Sequence, residues 1–208
     1  MDLSVIDGAL ACPDADGQRE CATAFERQLI SAKADFLMRK IGRLIIRLKS
    51  GRYRTLPNEK SDLHVVEVTG EFAIIIELFW EGSTWHILNL NSGVFTKTKG
   101  YPLFSPNGQF VVCFHQDLEA GYSANIFDVY QIGDGALIKL FSANPDKEGW
   151  GPGSVSWLNS DRILFNKVRW NPAPSKRFEP SEYYFKEPFI LKLNHGKWEM
   201  MPRTSPSL

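Results

Sequence analysis

FSPNGQFVV, residues 104 to 112, sets a Pro-Asn-Gly turn between an apolar residue and a run of β-formers. Two other segments match it in kind. They are VEVTGEFAIII at 66–76 and WLNSDRILFNK at 157–167. In each, an apolar residue (Val66, Phe104, Trp157) stands four positions before a turn centre (Gly70, Gly108, Asp161). A β-branched or aromatic strand then follows. A second turn also repeats. WHILNLNSG, FDVYQIGDG and FILKLNHG close at Gly93, Gly135 and Gly196, and VFTKTK, ALIKLF and KWEMM follow them. Glycine at these points supplies the positive φ that tight hairpins need.

The unit is therefore strand, tight turn, strand, variable loop, strand, tight turn, strand. Its copies fall at 64–99, 102–142 and 153–202. A four-stranded antiparallel unit recurring every ~40–50 residues is the signature of propeller blades. The turn FSPNG resembles the FSPDG element of TolB-type and WD40-like propeller repeats. The WD dipeptide is absent, and the third copy reads LNSD in place of SPNG. The resemblance implies a mainly β chain holding a partial β-propeller of three meander blades. Three blades do not close a ring. Residues 36–56 as an irregular fourth blade, an open stack capped by the N-terminal helix, and two chains completing one ring all stay open.

Before the repeats, residues 1–15 look loose. Asp14 or Asp16 is placed to cap a helix from Gln18 to Lys33, with Cys21, Phe25, Leu29 and Ala32 on one face. FLMRK, RLIIRLKSG and RYRTLPN then read as three short strands separated by Ile41-Gly42 and Ser50-Gly51. The expected organisation is one globular domain overall. In it, 1–60 form a helix-plus-hairpin unit that packs on a 61–208 blade region.

The 208 residues include 24 Lys plus Arg and 24 Asp plus Glu. Zero net charge gives no global reason to expect nucleic acid or an anionic membrane as partner. The balance fails locally, since Arg19 to Lys60 holds eleven basic against four acidic residues. That stretch reads as the wet face of a small sheet or as a basic docking surface. No run reaches the ~20 apolar residues of a membrane helix. MDLSVIDGALACP lacks the basic start and apolar core of a secretory signal. The chain is expected in the periplasm or outside the cell if a signal was removed, and otherwise in the cytoplasm. Cys12 and Cys21 are close enough to bridge in an oxidising compartment, while Cys113 in VVCF reads as a small core residue.

In a meander blade the first and third connections share one end, and here they are short. The other end collects QDLEAGYS (116–123), ANPDKEGWGPG (143–153) and NPAPSKRFEPSEYYF (171–185). Long loops on a rigid scaffold are where binding concentrates. The candidate binding residues are Asp117, Glu119, Tyr122, Trp150, Trp170, Phe178, Tyr183 and Tyr184, aromatics interleaved with charge. Trp150 reads as an anchor or as a ligand platform.

Catalytic signals are sparse. His115-Gln116-Asp117-Leu118-Glu119 offers alternating oxygens but lacks the glycine and carboxylates of a calcium loop. His64, His86, His115 and His195 form no HExxH or HxH pattern, and no GxSxG elbow occurs. GWGPGS lacks the lysine of a phosphate cradle. No metal or cofactor is expected. The reading is a non-catalytic binding protein whose long-loop face engages another protein, for instance as an inhibitor or immunity-type protein of the bacterial envelope. The alternative is a carbohydrate or small-ligand module, or a hydrolase, using Asp117, Glu119 and Glu148 on the same face. Open blade edges offer a route to a homodimer.

Overall fold

The computed structural model describes residues 3–13, 15–33, 35–56, 62–80, 82–119, 121–133, 136–171 and 183–203. The chain is mainly β. An N-terminal helix and a three-stranded sheet precede three four-stranded antiparallel blades, and every strand pairs with its sequence neighbour. Contacts divide it into two compact units, Met1–Pro102 with Asp134–Ala136 and Leu103–Gly133 with Leu137–Leu208.

The first unit begins with a hairpin, β1 (Ser4–Ile6) and β2 (Ala9–Ala11). Asp7 and Gly8 both take positive φ at its turn, as a type I′ hairpin requires. Within the stretch expected to be loose, residues 4–11 therefore form a hairpin. The signal was the Asp-Gly pair between SVI and ALA. Cys12 and Cys21 form a disulfide with Cα atoms 5.5 Å apart. It ties the hairpin to α1 (Gln18–Ala32).

Two details of α1 differ from expectation. Its N-cap is Gly17 and makes no side-chain cap. Asp16 instead donates its own backbone N–H to Glu20 Oε2 at 2.8 Å, and Asp14 lies outside the described residues. The buried face is Cys21, Ala22 and Glu26, whereas Phe25 and Leu29 are partly buried and Ala32 is exposed. The stripe is rotated because Glu26 has a partner waiting. Arg39 Nε donates to Glu26 Oε1 at 2.5 Å and Arg39 Nη2 to Oε2 at 2.7 Å, and a paired carboxylate can be buried where a lone one cannot. Arg39 thus turns inward from the sheet face assigned to water.

That sheet holds β3 (Leu37–Lys40), β4 (Arg43–Arg47) and β5 (Tyr53–Leu56). Alternation puts Leu37, Leu44, Ile46 and Leu56 on its inner side. There they pack with Leu63, Val65, Ala73, Ile75 and Leu88 of blade 1. Blade 1 comprises β6 (Asp62–Thr69), β7 (Phe72–Phe79), β8 (Gly82–Asn89) and β9 (Phe95–Thr98). Strand β7 is buried on both faces, which explains its continuous run AIII.

The second unit holds most of blade 2 and all of blade 3. Blade 2 is β10 (Tyr101–Phe104), β11 (Phe110–His115), β12 (Ile126–Ile132) and β13 (Leu137–Ser142). Blade 3 is β14 (Gly151–Asn159), β15 (Arg162–Trp170), β16 (Tyr184–Asn194) and β17 (Lys197–Pro202). The FSPNG turn closes as expected. Gly108 N donates to Ser105 O at 2.9 Å with φ +67°, and Phe110 N donates to Ser105 Oγ at 2.9 Å. Phe127 meets Phe165 with centroids 4.4 Å apart, and Trp198 takes Phe110 and Trp157 edge-on at 5.5 and 6.0 Å. No described helix is long and apolar enough to cross a membrane.

Candidate functional site

The β11–β12 connection, the β13–β14 link and the residues flanking the β15–β16 connection meet at one end of the second unit. Their meeting follows from local chemistry. After β13, Asn144 caps α2 (Pro145–Glu148), with Pro145 in the first turn and Gly149 ending the helix at φ 70°. Asn-Pro followed by acidic residues is a helix-start signal, present in a stretch read above as plain loop.

Asp146 on α2 accepts from the backbone N and from Nδ2 of Asn125 at 3.1 and 2.7 Å. Asn125 in turn accepts the backbone N–H of Asp117 through Oδ1 at 2.8 Å. Asp117 then folds its own loop, accepting from Gly121 N at 3.0 Å and Ser123 N at 2.8 Å. The two blades are thus laced together at this end through side chains. Gly151 permits the approach. A Cβ there would stand 2.7 Å from Gln116 Cγ and 2.9 Å from Asn125 Oδ1.

Between these loops lies an open depression of about 360 Å³ that includes Asp117, Tyr122, Asn125, Asp146 and Trp150 in its lining. Tyr122 stands on its lip, 89% exposed. Trp150 contributes a wall but no free ring face. It is fully buried, packed against Phe127 and Phe165, so it is an anchor and the platform reading fails. Its Nε1 donates to Glu148 Oε2 at 2.9 Å. Lys167 donates to the same oxygen at 3.1 Å and lies 4.6 Å from the centroids of both Trp150 and Phe189. The Trp150 and Lys167 hydrogen bonds hold the Glu148 carboxyl below its usual range. Nothing in the sequence marks Lys167 or Asn125 for these roles, because their partners lie 19 and 21 residues away.

An aromatic cluster sits beside the depression. Trp170, 51% exposed, has Tyr183 tilted at 5.9 Å and Tyr184 edge-on at 5.5 Å. Tyr184 donates its hydroxyl to Glu119 Oε1 at 2.7 Å, which joins blade 3 to the β11–β12 loop. The structure therefore brings Asp117, Tyr122 and Trp150 to one depression and Glu119, Trp170, Tyr183 and Tyr184 to its flank. Phe178 lies outside the described residues.

No protein-family model and no curated protein matches the chain.

Several other titratable groups serve the interior. His86 Nε2 lies 2.7 Å from Glu77 Oε2 and stacks on Phe95 at 4.6 Å, with burial lowering its pKa. Asp128 is buried and accepts from Tyr130, Lys139 and Ser142. Cys113 is fully buried beside it, and burial followed by the Asp128 charge pushes its thiol pKa up. Among the described residues no three His, Cys, Asp or Glu side chains converge as metal ligands.

Proposed function

We propose that the chain is a binding protein that engages another protein through the loop end of its second unit. One observation carries this reading. The carboxylates there bond inward, and two of the aromatics, Tyr122 and Trp170, face out. Asp117, Asp146 and Glu148 hold loops in place, while Tyr122 and Trp170 stand exposed over them. Exposed aromatics beside charged groups are the composition of protein-binding hot spots, and prior ordering of the loops lowers the entropy lost on binding.

The Cys12–Cys21 bridge supports an oxidising compartment. Together with the TolB-type resemblance of FSPNG, it favours a bacterial envelope protein of the inhibitor or immunity kind. A second reading has its own observation. The depression falls within the size range of small-ligand pockets, and a tyrosine at the lip of a polar hollow suits a sugar ring.

Photo-crosslinking groups placed at 122 and 170, with 107 as a distant control, test the first reading. The partner captured at 122 and 170 alone is then purified and titrated. Tyr122→Ala and Trp170→Ala are each expected to weaken its Kd by about tenfold or more. Undiminished affinity in both variants removes the proposal. Glycan binding that depends on Tyr122 alone transfers the site to the second reading.

A further inference from the structure

The two most exposed large apolar side chains among the described residues belong to the first unit: Trp80 at 96% and Ile41 at 91%. Ile41 is the first residue of the β3–β4 turn, with φ 48°. A β-branched side chain is strained in that left-handed conformation. Asparagine or glycine would take the turn at less cost and leave no apolar group in water. Stability of the fold gives no reason for isoleucine at this point.

Arg39 fixes where the turn sits. Its guanidinium donates to Gly42 O at 3.2 Å and to Leu63 O at 2.5 Å while Glu26 holds it from the other side. Leu63 pairs with Glu77. The Ile41 turn therefore lies at the end of blade 1 where β7 runs into β8, and that connection carries Phe79 and Trp80. The Phe79 ring stands 3.2 Å from the position of a Cβ on Gly82, closing the base of this second tip.

Strands β3 to β5 carry no carboxylate between Asp35 and Glu59. Of their cations, Lys40 and Arg43 flank the Ile41 turn, whereas Lys49 and Arg52 belong to the β4–β5 connection at the other end of the sheet, where Lys49 pairs with Glu71. In sequence, Glu81 follows Trp80. Lys40 and Arg43 face each other directly across the Ile41 turn. Both are exposed, and no ion pair joins either to a described residue. Like charges in that register repel. Of the nearby carboxylates, Glu26 and Asp62 are engaged by Arg39, Arg19 and His64, and Glu77 by His86.

We propose that this end of the first unit docks on an anionic lipid bilayer, with Ile41 and Trp80 entering the headgroup boundary and Lys40 and Arg43 lying among the lipid phosphates. Tryptophan favours that boundary. Apolar groups entering it and cations beside anionic headgroups add their binding energies. Two separate tips also suit a bilayer better than a protein. A protein partner must present a shape matched to both, whereas the interface is laterally continuous. The surface is independent of the loop end proposed above.

Sedimentation of the purified chain with vesicles tests this. One set is phosphatidylcholine alone, and the other includes about a third phosphatidylglycerol. Binding is expected to the anionic set only and to weaken with added salt. Ile41→Asn with Trp80→Ser, and separately Lys40→Glu with Arg43→Glu, are each expected to reduce it by about tenfold or more. Ile41→Asn suits the left-handed turn, so a thermal melt should show the tip variant folded. The proposal is overturned if the wild type ignores anionic vesicles, or binds neutral ones equally. A tip variant that sediments as well as the wild type also overturns it. So does a protein, rather than lipid, crosslinked at both tips in place of vesicle binding.

Discussion

The Tyr184 hydroxyl and Glu119 Oε1 meet at 2.7 Å, 65 residues apart in the chain. Loss of surrounding water, then this hydrogen bond and the Glu119 charge, push the phenol up to about 12. The proton is held more tightly in the folded chain. Any stability it brings is complete below the ordinary tyrosine range near 10 and fades as pH rises toward 12. Glu119→Gln should return the titration toward its ordinary range. An ultraviolet pH titration of that variant, with Tyr184→Phe as the subtraction, reads this directly. Tyr184→Phe should also weaken partner binding several-fold while leaving the melting temperature within a few degrees.

Acid should act first on the first unit. Burial opposes the Glu26 charge, but the Arg39 hydrogen bonds and the His64 ring 3.5 Å away overcome it and bring the carboxyl down to about 2. A carboxylate with a depressed folded pKa contributes stability above its unfolded value near 4.5, lost as pH falls toward 2. The contribution is roughly 2–3 kcal/mol. Urea melts between pH 7 and pH 3 should show the loss in the wild type and a much flatter profile in Glu26→Gln. At neutral pH, Arg39→Ala should cost about 3 kcal/mol by leaving a buried carboxylate without its partner. A paired Glu26→Leu, Arg39→Met variant should recover most of that.

Two glycines separate strain from crowding. Gly151→Ala places a carbon 2.7 Å from Gln116 Cγ and 2.9 Å from Asn125 Oδ1, so the loop that carries Tyr122 must shift. The expected cost is about 1–3 kcal/mol together with a loss of partner binding. Gly108→Ala meets nothing within 4 Å but must hold φ +67°. It should cost about 1 kcal/mol and leave binding intact. Melting curves and titrations on both variants check the pairing of effects.

Thiol chemistry checks the amino-terminal bridge. With Cys12 and Cys21 joined and Cys113 buried with a raised pKa, the native oxidised chain should take up no thiol reagent. In urea without reductant one equivalent should react, and after reduction three. Intact mass of the labelled chain gives the count, and two labels before reduction are incompatible with the bridge.

The blade register was legible in the sequence because its signals are local. A turn centre and four positions of spacing are enough to align Val66, Phe104 and Trp157. The candidate loops were legible for the same reason, since a meander sends alternate connections to opposite ends. What stayed hidden depends on partners far along the chain. Glu26 reads as the wet side of a helix until Arg39, thirteen residues on, arrives beside it. Trp150 reads as either an anchor or a platform in a Gly-rich link until Phe127 and Phe165 close on it. The hairpin at Ser4–Ala11 was a local signal, too short to stand out from a loose terminus.

Every strand of the described sheets pairs with the strand before or after it in the chain. This has a consequence for how the molecule comes into being. No blade waits for a distant segment to complete its ladder, so each can close once its fourth strand has emerged. Low separation between pairing partners favours fast folding and short exposure of bare strand edges. A chain delivered amino end first would thus assemble in the order in which it appears.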